Sequence, residues 1–233
     1  MNPHRRHRLR CIALAAMLAS FAGAALARTE RVQPFAGAQP PPQPPPGSLT
    51  TPDGRGPFPV VILLHGCAGI GRGAQLAPWV GRLADWGYAS LIMDSFGPRG
   101  VTTVCASANQ PLVTSADRAG DGLDATMFLR TRPDIDGARI AVIGFSDGGS
   151  TAVTVTQRGF AGMYPGLLRA AVDYYGSCRN AAAHGTVPLL AGDEDTWGDP
   201  PGAVPNSAET SAAISHFPRR SIRARCTAST ISG

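Results

Sequence analysis

The sequence predicts an α/β fold, in which a mostly parallel sheet carries helices on both faces. Three observations support this prediction. Short apolar runs alternate along the chain with segments of helical periodicity, which is the pattern of strand–helix–strand units. The runs are continuously apolar and rich in β-branched residues, as in strands that are covered on both faces. With 233 residues, 43% apolar and 16% charged, the chain is long enough for one full-sized domain.

Apolar runs predict five strands, and apolar spacing predicts the first two helices. The first helix follows the apolar spacing of residues 76–83 and ends near Gly87. The second helix is capped by Thr114 or Ser115 and stops before Pro133. The strand runs are residues 59–64, 88–93, 139–143, 168–172 and 187–191.

The distribution of charge excludes a basic binding surface. The formal net charge is +5, and all 21 basic residues are arginine. Eight of these arginines lie before residue 28 or after residue 216, which leaves 13 of them against all 16 acidic residues in between. The body of the chain is therefore mildly acidic, and nucleic acid is not an expected partner.

Residues 1–27 are predicted to be an export signal. An arginine-rich start is followed by an uncharged apolar run from Cys11 to Ala19, and then by Ala25 and Ala27, the small residues that a signal peptidase requires. A transmembrane anchor is the alternative, but the run is shorter than the ~20 residues that span a bilayer. The mature protein is therefore expected in the periplasm or the medium, without stable membrane insertion.

Composition divides the rest of the chain into three parts. Residues 28–47 are predicted to be a linker, because residues 39–46 are typical of a polyproline II spacer. A binding site for a proline-recognising partner is the alternative for this segment. Residues 48–197 carry the strand and helix signals and form the predicted domain. Residues 198–233 show neither strand nor core-facing helix periodicity and are predicted to be an atypical tail.

The predicted export signal bears on whether the cysteines form disulfides. Without the signal, Cys67, Cys105, Cys178 and Cys226 remain, an even number in an oxidising compartment. Four cysteines allow three pairings, and the sequence does not select one. The pairing of Cys105 with Cys178 is favoured because both lie in presumed loops that follow strands, and Cys67 could equally be a small buried apolar residue. No spacing of cysteine and histidine predicts a metal site.

A nucleophilic serine is predicted at Ser146. Residues 144–148 match G-x-S-x-G, a predicted strand leads directly into them, and a helix can start at Gly148. Such a turn requires strained backbone at the serine and small residues on both sides, which the glycines supply. It also holds the hydroxyl at a helix N-terminus, which favours negative charge. The alternative is a glycine-rich turn whose serine takes no part in catalysis.

The sequence also predicts the groups that would assist this serine. An oxyanion needs N–H donors, and the backbone N–H groups of Asp147 and Cys67 are the candidates, the latter in the loop after the first strand. His65 in the same loop is predicted to be structural, because it precedes the nucleophile. Asp195, after the fifth strand, is the predicted acid that orients a histidine, and the two acids before it are solvated alternatives.

Five segments of the chain match one known family in order and spacing: L-L-H-G-C-A-G, M-D-S-F-G-P-R-G, I-A-V-I-G-F-S-D-G-G, D-Y-Y-G and G-D-E-D-T-W. From about Leu49 to Trp197, the chain resembles the dienelactone hydrolase family of the α/β-hydrolase fold. The resemblance implies hydrolysis of small esters or lactones through a covalent acyl-enzyme, without a cofactor. The founding members of the family use a cysteine as the nucleophile. This chain has a serine, Ser146, at that position, and many relatives have a serine there too.

The catalytic histidine is the point at which the chain departs from the family. The family order implies a histidine after the acid, beyond one more helix and strand. Only His216 follows Asp195, and the 21 positions between them are fewer than the ~28 that such elements need. His216 is therefore the candidate base, and an unrelated tail histidine is the alternative. The last strand and helix are predicted to be missing or altered, and a truncation or frameshift in a GC-rich coding sequence is our hypothesis for the tail.

Two functions are compatible with these patterns. The first is an exported serine hydrolase in which Ser146 attacks a small ester or lactone, His216 is the base and Asp195 orients it. The second is a protein of the same fold that lacks a proper catalytic histidine and acts as a binding protein or is a non-functional fragment.

Overall fold

The part of the chain that the structure describes contains eight strands in one sheet. The computed structural model describes residues 27–34, 45–72, 76–106, 112–157, 166–177, 187–192 and 221–226. In chain order the strands are β1 (Arg28–Val32), β2 (Gly47–Thr51), β3 (Phe58–Leu64), β4 (Ala89–Met93), β5 (Ile135–Phe145), β6 (Ala170–Tyr174), β7 (Val187–Gly192) and β8 (Ser221–Cys226).

The centre of the sheet is parallel and its edges are antiparallel. The strands lie in the order β1-β2-β4-β3-β5-β6-β7-β8. Neighbouring strands from β4 to β7 pair in parallel, whereas β1, β2 and β8 pair antiparallel. The predicted mostly parallel sheet is confirmed, and all five predicted strands are present. Because β3, β5, β6 and β7 run in one direction, the loops after them meet at one edge of the sheet.

Three α-helices of the described residues cover both faces of the sheet. They are α1 (Leu76–Asp85), α2 (Ser115–Arg130) and α3 (Asp147–Val155). Helix α2 begins at Thr114 with a capping box: the Thr114 hydroxyl accepts the Asp117 N–H at 3.1 Å, and the Asp117 carboxylate accepts the Thr114 N–H at 2.8 Å. Of the two predicted caps, Thr114 is therefore the correct one. None of the helices described here has the length and apolar character needed to cross a membrane.

Two apolar clusters hold the helices on the sheet. The larger one lies between the sheet and helices α2 and α3, and includes the fully buried Leu64, Leu91 and Leu129. The smaller cluster lies between the sheet and α1, and it contains the buried Leu63 of β3 and Leu83 of α1. Burial on both faces explains why the central strands are continuously apolar in sequence.

The predicted linker, residues 28–47, needs a correction. Arg28–Val32 form strand β1, which pairs along its whole length with β2. Glu30 accepts a hydrogen bond from Arg132 at 2.7 Å, which ties this edge strand to the end of α2. The strand is largely exposed and is held by backbone pairing and a polar contact, so it carries no apolar run from which it could be predicted. Most of the proline-rich stretch and the predicted signal lie outside the described residues.

The predicted tail, residues 198–233, also needs a correction. Ser221–Cys226 form strand β8, which pairs antiparallel with β7. The prediction of no strand periodicity was wrong here, because the segment S-I-R-A-R-C alternates apolar and polar residues, the period of a strand with one exposed face. In the described part of the sheet, an antiparallel strand therefore follows the last parallel one.

Candidate active site

Ser146 lies in a sharp turn between β5 and α3. Its backbone angles are φ 55° and ψ −121°, a strained combination for a residue with a side chain. The turn is held on both sides: the Ser146 N–H donates to the Tyr174 carbonyl at 2.9 Å, and the Ser146 carbonyl accepts the Gly149 N–H at 2.7 Å. This arrangement presents the serine at the carboxyl edge of the sheet, in the strand–turn–helix context that G-x-S-x-G requires.

Glycines flank Ser146 because backbone segments touch each other there. A Cβ on Gly144 would overlap the carbonyl of Gly148. A Cβ on Gly148 would overlap the Leu64 carbonyl and would come within 2.6 Å of the His65 carbonyl oxygen. The start of α3 therefore packs directly on the end of β3, and no larger residue fits between them.

The loop after β3 lies beside the Ser146 turn. A Cβ on Gly66 would be 3.4 Å from the Ser146 Cβ, so the two segments are in van der Waals contact. The Gly66 carbonyl accepts the Gly69 N–H at 3.1 Å, which holds the peptide that carries the Cys67 N–H, and the Cys67 carbonyl accepts the Val104 N–H at 2.9 Å. Within the described residues, neither the N–H of Cys67 nor that of Asp147 donates to a backbone oxygen. The two predicted oxyanion donors thus lie on two segments that are in contact with each other.

Cys67 forms a disulfide with Cys105. The favoured pairing of Cys105 with Cys178 was therefore wrong, and so was the alternative that Cys67 is a free apolar residue. The two cysteines are 38 residues apart and meet because the loop after β4 crosses the loop after β3, where the Thr103 hydroxyl donates to the Cys67 carbonyl at 3.2 Å. This crossing is a property of strand order, which the spacing of cysteines does not reveal. Cys178 lies outside the described residues.

The end of β6 supports the other side of the turn. Tyr175 has φ 48°, and it and Ser146 are the only non-glycine residues with positive φ in the described part of the chain. The Tyr175 ring contacts that of Phe145 at a centroid distance of 6.3 Å. Strained backbone is retained mainly at functional sites, so two such residues on adjacent strand ends make this edge the candidate functional edge of the sheet.

His65 is buried beneath the loop after β3. Its ring is 1% exposed and packs edge-on against Phe96 at 4.5 Å. The Nδ1 atom lies 2.9 Å from the Gly66 carbonyl oxygen, which fits an Nδ1–H donor. Burial, and then the nearby charge of Arg118, lower the pKa of His65 to about 4. The residue is therefore neutral near pH 7, and its burial is consistent with the structural role predicted for it.

The stability of the protein is expected to fall as the pH drops from about 6.5 towards 4. The unfolded state binds a proton on His65 at a higher pH than the native state does, so protonation favours unfolding across this window. The lowered pKa corresponds to about 3 kcal/mol when the loss is complete. Urea unfolding at several pH values should show a steeper pH dependence for the parent than for His65→Asn, which cannot titrate. If the free energy of unfolding depended on pH equally in the two proteins, the result would contradict a buried neutral histidine at position 65.

Arg118 is a residue near this site that the sequence analysis missed. Its side chain, in the first turn of α2, is 0% exposed; it forms an ion pair with the Asp147 carboxylate and donates to the His65 carbonyl. Burial lowers the pKa of Arg118, and the charge of Asp147 opposes this effect. A second pair, Arg99 and Asp121, forms two hydrogen bonds of 2.9 and 2.8 Å between the loop after β4 and α2. The sequence did contain a signal for these buried charges. In the predicted helix α2, charged residues occupy positions at which a helix packed on a sheet would carry apolar residues.

The predicted acid and base, Asp195 and His216, lie outside the described residues. Strand β7 ends at Gly192, three residues before Asp195, and it runs parallel to β6. The chain therefore leaves β7 at the same edge of the sheet that carries Ser146.

The fold and the site together define the class of protein. A serine on a strained strand–turn–helix elbow, at the carboxyl edge of a mostly parallel sheet with helices on both faces, is the arrangement of α/β-hydrolases. The sequence profile of the Dienelactone hydrolase family matches residues 46–205. The chain belongs to the dienelactone hydrolase family, as the resemblance of its motifs predicted. No curated protein sequence matches the chain significantly.

Solved structures with this fold include two proteins from the same family. A candidate dienelactone hydrolase from Klebsiella pneumoniae is 21% identical, with a TM-score of 0.50 over 65% of this chain and 61% of that chain. A dienelactone hydrolase from Anabaena variabilis is 20% identical, with a TM-score of 0.50 over 64% of each chain. The matched region spans less than two thirds of the length of either protein, and at this identity the likeness shows the fold alone.

Proposed function

We propose that the protein is an exported serine hydrolase that cleaves small carboxylic esters or lactones through an acyl-enzyme on Ser146. The observation that carries this proposal is the Ser146 turn, a strained backbone at the N-terminus of α3 with the loop of Cys67 in contact with it. The serine oxygen attacks the acyl carbon, and the alcohol leaves with the proton that the serine lost. Water then releases the acid and restores the serine.

The electrostatics of the described residues support the formation of an oxyanion at this place. The N-terminus of α3 carries the positive end of the helix dipole, and the first N–H group of the helix belongs to Asp147. The carboxylate of Asp147 would oppose a second negative charge nearby, but the ion pair with Arg118 offsets it. N–H groups that are already held in place stabilise the transition state without a cost of reorganisation.

The remaining roles in this proposal come from the order of motifs in the chain. His216 acts as the base that takes the serine proton, and Asp195 orients it and stabilises its protonated form. The substrate is a small molecule, the mechanism uses no cofactor, and export through the signal at residues 1–27 brings the enzyme to the periplasm or the medium.

A second candidate function is a binding protein with the same fold and little catalysis. One observation favours it: in the sequence only 21 positions separate Asp195 from His216, fewer than the ~28 that a further helix and strand need before the catalytic histidine. A serine without a base would still react slowly, because the oxyanion donors and substrate binding contribute to the rate on their own.

Hydrolysis of p-nitrophenyl acetate should distinguish the two candidates. For the chain from Arg28 onwards, the Ser146→Ala substitution should reduce the rate above background by at least about 10³-fold, since it removes the nucleophile. The matched control is Ser150→Ala in the same helix, whose hydroxyl accepts the Ser177 N–H at 2.9 Å. It should retain the rate within about threefold, because exchanging a serine outside the reaction changes little.

Mass spectrometry of the quenched reaction provides a second readout of the same test. An acetyl group on the peptide that contains Ser146 would support the acyl-enzyme. Accumulation of this species with very slow turnover would favour the second candidate, a serine without an effective base. Equal rates for the parent and Ser146→Ala, with no acetylated peptide, would exclude hydrolysis at this serine.

A further inference from the structure

Arg118 is a charged side chain in a place where charges are rarely found. It is one of the largest fully buried side chains among the described residues, and it lies in the first turn of α2. Arginine is almost never fully buried unless its charge and its donors are matched. Here the ion pair with Asp147 matches the charge, Nη1 and Nη2 both donate to oxygen atoms, and Nε has no acceptor among the described residues. The guanidinium lies 5.2 Å from the Phe96 ring centroid.

The packing of α2 does not require this charge. The helix is anchored to the larger apolar cluster by Ala119, Leu123, Ala125 and Leu129, all of which are buried. An apolar residue of similar volume at position 118 would avoid the desolvation of a guanidinium and is often as good for stability. The contacts of the guanidinium nitrogen atoms, rather than helix packing, therefore explain an arginine at position 118.

The oxygen atoms that accept hydrogen bonds from Arg118 lie on the two segments that form the candidate oxyanion site. Nη1 pairs with the carboxylate of Asp147, the residue directly after the nucleophile, and Nη2 donates to the carbonyl of His65, two residues before Cys67. These segments also touch each other, because a Cβ on Gly148 would come within 2.6 Å of the His65 carbonyl oxygen. One rigid planar group thus spans a contact between two backbones.

We propose that Arg118 is a positioning residue that sets the distance between the oxyanion donors, the N–H groups of Cys67 and Asp147. This inference rests on the proposed function for its catalytic meaning, although the bridge itself is independent of it. The guanidinium suits this task because its nitrogens point in fixed directions, whereas a lysine ammonium would reach one acceptor at a time. The same bridge neutralises the Asp147 carboxylate next to the place where negative charge develops.

The test compares Arg118→Met, Arg118→Lys and Leu129→Ala in the protein expressed from the full chain. Leu129 is fully buried in the same helix but contacts the apolar cluster, so its truncation is a control for loss of stability alone. Two readouts are measured: kcat and KM for p-nitrophenyl acetate, and hydrogen exchange of the backbone in residues 65–69 and 146–149. A positioning role should appear in kcat, because the donors act on the transition state.

Arg118→Met is expected to lower kcat by about 30- to 100-fold with KM changed by less than about threefold, since loss of one oxyanion donor costs about 10²–10³. Arg118→Lys should recover part of the loss, and Leu129→Ala should leave kcat unchanged. Exchange should accelerate in both segments of Arg118→Met and in neither segment of Leu129→Ala. Unchanged kcat and unchanged exchange in Arg118→Met would overturn the inference.

Two further outcomes are decisive as well. If the parent shows no hydrolysis that depends on Ser146, the proposed function fails, and exchange in the two segments alone decides whether Arg118 holds them together. If Arg118→Met does not fold, Arg118→Lys and Asp147→Asn replace it. Locally faster exchange or a selective loss of kcat in these variants supports the inference, and parent-like values overturn it.

Discussion

Replacing Gly144 by alanine is expected to destabilise the protein by at least about 4 kcal/mol, the range in which single substitutions are exceptional. A Cβ at this position would overlap the main-chain carbonyl of Gly148. A main-chain atom cannot rotate away as a side chain can, so either β5 or the start of α3 must move. Because Ser146 lies between these two glycines, the distortion should also move its hydroxyl, the proposed nucleophile, out of position. The free energy of unfolding in urea measures the first effect, and hydrolysis of p-nitrophenyl acetate measures the second.

Gly81→Ala is the matched control for this prediction. Gly81 lies within α1, and a Cβ there would meet no atom within 4 Å. The same substitution should therefore stabilise the protein by about 0.5–1 kcal/mol, because alanine favours a helix over glycine. A Gly144→Ala protein with the stability of the parent would show that β5 and α3 are not in contact at this point.

Removing the Cys67–Cys105 disulfide is expected to lower the free energy of unfolding by about 4 kcal/mol, the chain-entropy value for a closed loop of this size. The bond closes a loop of 38 residues, so its loss increases the freedom of the unfolded chain. It also connects the loop that carries a candidate oxyanion donor to the loop after β4. The hydrogen bonds from Val104 and Thr103 to the Cys67 carbonyl would remain. The expected loss of kcat is therefore moderate, about tenfold.

The measurement is urea unfolding of the double variant Cys67→Ser and Cys105→Ser, compared with the parent under oxidising conditions. The control is the same comparison under reducing conditions, in which the parent has also lost the bond and should have the stability of the double variant within about 1 kcal/mol. Equal stability of the parent and the double variant under oxidising conditions would contradict a stabilising bond between Cys67 and Cys105.

Local patterns in the sequence were sufficient for most of the fold. Strands β3 to β7 were predicted because both faces of a central strand are buried, which leaves a continuous apolar run in the sequence. Helix α2 was predicted from Thr114 and Pro133, because capping and the missing N–H of proline act within a few residues. Ser146 could be identified for a similar reason, since the strained turn demands glycines at fixed positions beside it.

Edge strands were harder to predict because they carry little of the core. Strand β1 is held by backbone hydrogen bonds to β2 and by the contact of Glu30 with Arg132. None of these interactions leaves an apolar pattern in its own five residues. Strand β8 does alternate apolar and polar residues, but over six residues this signal is difficult to distinguish from chance.

The sequence by itself determined the class of fold, the position of the G-x-S-x-G turn at Ser146 and the family, because each depends on residues that are close together in the chain. The tertiary structure alone decided which cysteine Cys105 meets, why His65 is neutral and which groups the buried Arg118 contacts. These properties depend on loops and a helix that are separated by 29 to 53 residues in sequence. Contacts over such distances follow from the order in which the strands pair, and no local period in the chain records that order.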